Sequence, residues 1–224
     1  MRRAALLYHE DQSPGRINFT IAHEFGHYIL HRDMIGDDGL YCDENSILFR
    51  NGLGIEKEAD QFAAALLMPL HDFRAQLPPN NRANFELLGK FANRYGVSLT
   101  AAILRWLEYT ETRAIMVVSN EGFAHWAWSS TPAYKSGRYI KTKNVAYELP
   151  GKATAARREF TDEAKSGIEH ASGVWFDEPV IEMCIRSTLY DQEITLLHFG
   201  KIDRSFHATV REQDTFERFT SFRS

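Results

Sequence analysis

Residues 19–30 read Phe-Thr-Ile-Ala-His-Glu-Phe-Gly-His-Tyr-Ile-Leu, and the five residues His23-Glu24-Phe25-Gly26-His27 at their centre narrow the possible structures sharply. Two histidines four apart lie one turn above each other only on an α-helix, where both imidazoles reach a single point. A glutamate directly after the first histidine then reaches a water held at that point, which is the pattern of a zinc-dependent peptidase helix. The flanks favour the helix: Phe19, Ala22, Tyr28 and Ile29 fit its period, and no proline stands between Ile17 and Pro69. Gly26 is the one poor helix former in the run, and it predicts that another backbone passes close by.

A centre of this kind needs a third, anionic donor and a carboxylate that holds a donor imidazole from behind. Residues 56–68 supply candidates. Ala59, Phe62, Ala63, Leu66 and Leu67 form the apolar stripe of a second helix, closed by Pro69, and Glu56 and Asp60 border that stripe on one face. Glu58 is rotated away from that face. His31 continues the first helix by another turn, but at 1.5 Å rise per residue it lies ~12 Å from His23, too far to share an ion with it. It is read as a surface histidine or as one that supports a donor from behind. With two histidines and one carboxylate as protein donors, a fourth position stays open, as in catalytic rather than structural zinc sites.

The charge balance limits the partners. A net charge of -4 and a pI near 6.1 argue against an electrostatic sleeve around nucleic acid, so any DNA contact would be local. No apolar run approaches the ~20 residues of a membrane span, and residues 1–9 hold too short an apolar core for a signal peptide. Cys42 and Cys184 are the only cysteines and lie far apart, which fits a reducing compartment without a disulfide framework. These features together predict a cytoplasmic protein without membrane association. Cys42 reads as an inert thiol in preference to a reactive one.

Arg16 to His31, followed by Glu56 to Pro69, resembles the ImmA/IrrE family of metallo-endopeptidases. The resemblance is dense over residues 16–69 and thin elsewhere. It implies a zincin-like fold with Zn2+ held by His23, His27 and Glu56, with Glu24 as the catalytic base. Asp60 fits the supporting carboxylate. Tyr41 and His31 are candidates on this chain to assist the oxyanion. Members of the family cut DNA-binding repressors, so the implied partner is a small helix-turn-helix repressor. The implied outcome is the switching on of stress-response or mobile-element genes. The competing reading is a non-proteolytic regulatory module that binds a repressor or DNA through a zincin-like scaffold. The intact Glu24 favours the enzyme. Family members carry further elements before the metal helix, including strands of the sheet beside the cleft, whereas only about fifteen residues precede it here, so the resemblance leaves the substrate-binding edge unassigned.

The rest of the chain predicts an α+β organisation. A mainly helical metal domain covers 1–112 and includes a helix-turn-helix-like segment around Phe91–Ser98, with helices over Leu70–Leu77, Arg82–Tyr95 and Leu99–Tyr109. Gly96 ends one helix, and Ser98 caps the next. Lys90, Arg94 and Arg105 give that segment a small basic excess, and a plain helical hairpin is the preferred reading. A small α+β domain covers 113–200, and the family resemblance implies that it is sensor-like, of GAF or PAS type. Its elements are a hairpin of Ile115–Ser119 and Phe123–Trp128, a helix over Ala155–Lys165, and strands over Val174–Phe176, Val180–Tyr190 and Glu193–Phe199. Short extended pieces are expected at Ala4–Tyr8, Leu40–Cys42 and Ile47–Phe49, a turn at Asp11–Gly15, and a polar tail over 201–224. The substrate, the activating signal and the oligomeric state are not encoded in any motif.

Overall fold

A computed structural model describes residues 12–32, 52–187 and 191–201 of the 224-residue chain, with backbone alone at Gly52 and Leu53. The extended pieces expected at Ala4–Tyr8, Leu40–Cys42 and Ile47–Phe49, together with Tyr41, Cys42 and nearly all of the C-terminal tail, lie outside the described residues.

Helix α1 spans Pro14–His31 and begins where a turn was expected. Proline suits the first helical position, because its missing N–H has no partner there in any helix. Helix α2 runs Gly52–Leu67 and packs along α1. The faces that meet are small: Ala22 and Gly26 on α1, Ala59 and Ala63 on α2, all buried. A Cβ at Gly26 would stand 3.0 Å from Phe62 Cδ1 and 3.3 Å from the Cα and carbonyl oxygen of Ala59. The close backbone predicted from this glycine is therefore that of Ala59.

Helices α3 (Leu70–Gln76), α4 (Phe85–Tyr95) and α5 (Leu99–Tyr109) follow. Asn84 caps α4 through the Leu87 N–H, and Ser98 caps α5 through the Ala101 N–H. Gly96 takes the left-handed conformation, φ 61°, that closes α4. The turn between them supports α1: Asn18 Nδ2 donates to Gly96 O at 2.8 Å, and Gly15 lies so close to the Val97–Ser98 backbone that a Cβ would fall 2.5 Å from Val97 C. Arg105, counted in the sequence as part of a basic surface, is instead buried and donates to Met68 O and Glu108.

The second half is an antiparallel six-stranded sheet in the order β3-β2-β1-β6-β5-β4. Its strands are β1 (Ala114–Asn120), β2 (Phe123–Ser129), β3 (Tyr147–Glu148), β4 (Ile168–His170), β5 (Val180–Ser187) and β6 (Gln192–Phe199). Met116, Leu196 and Met183 are cross-strand partners, and they share one core with Trp106 and Ile103 of α5 and Phe73, Leu88 and Phe91 of the helical part. The opposite face buries Ile115, Val117, Leu197 and Phe199 with Trp175 and the short helices α6 (Thr131–Lys135) and α7 (Thr154–Arg157). Helices and an antiparallel sheet thus form an α+β fold in which α5 is sandwiched between the helical layer and the sheet. Its Ala102, Ile103, Arg105, Trp106, Leu107 and Tyr109 are all buried, while Thr100, Ala101, Leu104 and Glu108 line the less buried face.

Two expectations in this half are corrected. The single helix over Ala155–Lys165 is two short helices, α7 and α8 (Asp162–Ser166), because Arg158 takes φ 56° and stops the first. Val174–Phe176 is not a strand. Trp175 is buried there to donate its indole N–H to Glu182 Oε2 at 2.8 Å, and β4 supplies the edge of the sheet instead. Glu182 is wholly buried and also accepts from the backbone N–H groups of Thr154 and Ala155, with His170 Nε2 at 2.8 Å, so it caps α7 from inside the core.

Candidate metal centre

The i, i+4 spacing on α1 stacks His23 and His27 with their Nε2 atoms 3.0 Å apart. Glu56, in the first turns of α2, points its carboxylate at both: Oε2 is 3.2 Å from His23 Nε2, and Oε1 is 3.3 Å from His27 Nε2. Three donor atoms thus converge on one point. Tetrahedral zinc with bonds near 2.05 Å requires donors about 3.3 Å apart, so the triangle of these side chains fits that ion in both size and donor chemistry.

Each histidine also has a partner at its other nitrogen. His23 Nδ1 lies 2.9 Å from Asp60 Oδ1, which holds the ring from behind. His27 Nδ1 lies 3.1 Å from His31 Nδ1, and His31 Nε2 lies 3.0 Å from Glu58 Oε2. His31 is therefore neither a surface residue nor aimed at the donor cluster; it is buried behind His27. Glu58 stays out of the cluster, as expected, but it does not point away from α1: its carboxylate reaches the far end of the histidine row. Glu24 is half-buried on α1, one residue beyond His23.

The buried face of α1 consists of Ala22, Gly26, His27 and His31. Its large apolar residues Phe25, Tyr28, Ile29 and Leu30 are exposed instead. The apolar period marks the helix correctly, but the face it turns inward is chosen by the histidines and by the small residues that let α2 approach.

Elsewhere, perturbed groups belong to packing. Burial pushes the Cys184 thiol up to about 12, which makes it inert as a nucleophile. Burial lowers His198 to about 4, with its ring packed beside Trp106.

Residues 2–107 match a peptidase family profile described as the IrrE N-terminal-like domain. The match covers 106 of the 224 residues, just under half of the chain, and shows that residues 2–107 are similar to that domain. Among similar proteins, the radiation response metalloprotease IrrE of Deinococcus deserti is 34% identical over 118 residues, covering 50% of this chain and 39% of that protein. The protein of the same name from Deinococcus radiodurans is 33% identical over 122 residues, covering 52% of this chain and 35% of that protein. The chain thus covers well under half the length of these relatives. The matched stretch includes α1 to α4 and nearly all of α5, so the converging histidines and Glu56 lie within it. No helix among the described residues is long and apolar enough to cross a membrane.

Proposed function

We propose that this chain is a zinc-dependent endopeptidase of the cytoplasm that cleaves a small DNA-binding repressor and so switches on stress-response or mobile-element genes. The observation that carries the reading is the convergence of His23, His27 and Glu56 within one coordination radius, with Asp60 behind His23. His23, His27 and Glu56 hold the ion, and Asp60 keeps the His23 proton on Nδ1 so that Nε2 offers its lone pair. Zinc, when bound, supplies Lewis acidity that acidifies water and polarises the scissile carbonyl. Glu24 accepts the proton of the attacking water and then delivers it to the departing amine nitrogen. Residues 113–200 serve as a sensor-like module of GAF or PAS type, joined to the peptidase domain 1–112 through α5; the antiparallel sheet packed on α5 supports this.

The test identifies a small repressor gene in the genomic neighbourhood and follows its product in cells under the inducing stress. Appearance of a defined cleavage product that chelation abolishes supports the endopeptidase. Normal regulation with the repressor intact would replace it with a non-proteolytic scaffold.

A further inference from the structure

We propose that His31 and Glu58 form a relay that positions His27, fixing its tautomer and ring orientation for metal binding. The inference rests on the metal-centre reading of His23, His27 and Glu56. If His27 Nε2 gives its lone pair to the ion, its single proton sits on Nδ1. That N–H faces His31 Nδ1 at 3.1 Å, which must then be a lone pair. The proton of His31 is thereby placed on Nε2, and this atom faces an acceptor, Glu58 Oε2, at 3.0 Å. Donor meets acceptor at both contacts. In the reverse direction His31 Nδ1 would donate, the His27 proton would move to Nε2 and block the lone pair there. A bare His31 nitrogen would also face the oxygen lone pairs of Glu58.

The two ligand histidines are therefore oriented by equivalent means over different distances. His23 meets a carboxylate directly, Asp60 at 2.9 Å, whereas His27 meets one through an intervening imidazole. His31 is 3% exposed, so its ring nitrogens depend on protein partners. The side chain of Glu58 is 62% exposed, so packing does not need it, and its removal reports on the relay without disturbing the fold.

Two measurements on the full chain test this. Long-range proton–nitrogen NMR of the zinc-loaded protein should show His27 with its proton on Nδ1 and His31 with its proton on Nε2. His31 protonated on Nδ1 would overturn the relay. Competition of zinc against a chelator should show Glu58→Ala weakening zinc affinity roughly 10-fold or more, the scale on which such outer partners act. Glu58→Gln, which keeps an acceptor oxygen, should recover most of that loss. The Glu58→Ala loss should vanish in a His31→Phe background, since the relay is already cut. Wild-type affinity in Glu58→Ala, or losses that add in the double variant, would overturn the proposal. The underlying site is judged separately by His23→Ala: if that variant loses zinc while Glu58→Ala keeps it, only the relay falls.

Discussion

His23 and His27 present their Nε2 atoms to each other at 3.0 Å, close enough for both lone pairs to serve one ion. Glu56 closes the triangle from the second helix at 3.2 and 3.3 Å. The zinc reading thus depends on three side chains from two helices.

Metal content should follow that triangle. His23→Ala, His27→Ala and Glu56→Ala are each expected to abolish stoichiometric zinc, because each leaves two protein donors at an open site. Asp60→Asn keeps all three donors and should weaken zinc by roughly 10–100-fold without abolishing it. Elemental analysis after gel filtration and chelator competition measure both. Full occupancy in His27→Ala would remove that residue from the ligand set.

Glu24→Gln separates chemistry from binding. The amide preserves size and leaves the donors untouched, but it cannot take up a proton from water. Zinc content and thermal midpoint should match wild type, while repressor cleavage falls by about 100-fold or more. Equal cleavage rates would show that another group is the base.

The interior of the sheet layer predicts acid sensitivity. Burial, with Arg82 nearby, lowers His198 from 6.5 to about 4, so between these values the unfolded chain binds the proton and the folded chain does not. Stability from this group is complete above pH 6.5 and lost as the pH falls towards 4, by about 3 kcal/mol in all. Urea unfolding across this range should show the slope, and His198→Phe should flatten it. The apolar ring should cost little at neutral pH, where the folded chain already holds this imidazole buried and uncharged.

Glu182 offers the opposite case. Its carboxylate satisfies two backbone N–H groups and the Trp175 indole inside the core. Glu182→Leu strands all three donors and should destabilise the protein by about 3 kcal/mol or more, whereas Glu182→Gln, which keeps an acceptor, should cost less. Denaturant midpoints distinguish the two.

What could be read from the sequence was what short-range pattern encodes. The helix pair carrying the donors, the Ser98 cap, the Gly96 terminus and the β1–β2 hairpin all follow from spacing within a few residues. Features set by distant partners did not show. The apolar triplet Val174–Phe176 reads as a strand until Glu182 is seen to bind its tryptophan. The run Ala155–Lys165 reads as one helix until Arg158 is found in a left-handed turn. His31 and Glu58, 27 residues apart, carry no mutual signal in sequence, although the second i, i+4 step after His27 already placed His31 on the same side of α1.

The absence of one methyl group at position 26 sets the calibre of the whole centre. Gly26 immediately precedes His27, and the atoms that crowd it belong to Ala59, the neighbour of Asp60, and to Phe62. A Cβ there would require Phe62 and the Ala59 backbone to give by a few tenths of an ångström, at the level where Glu56 spans to both histidines, and a larger side chain would require more. A carboxylate pushed outward by even an ångström leaves bonding range, since donor distances at zinc tolerate only about ±0.2 Å. The span between donors is therefore gauged by a backbone contact that itself binds nothing, and a chain with every ligand intact but a bulkier residue at 26 would hold the right atoms at the wrong aperture.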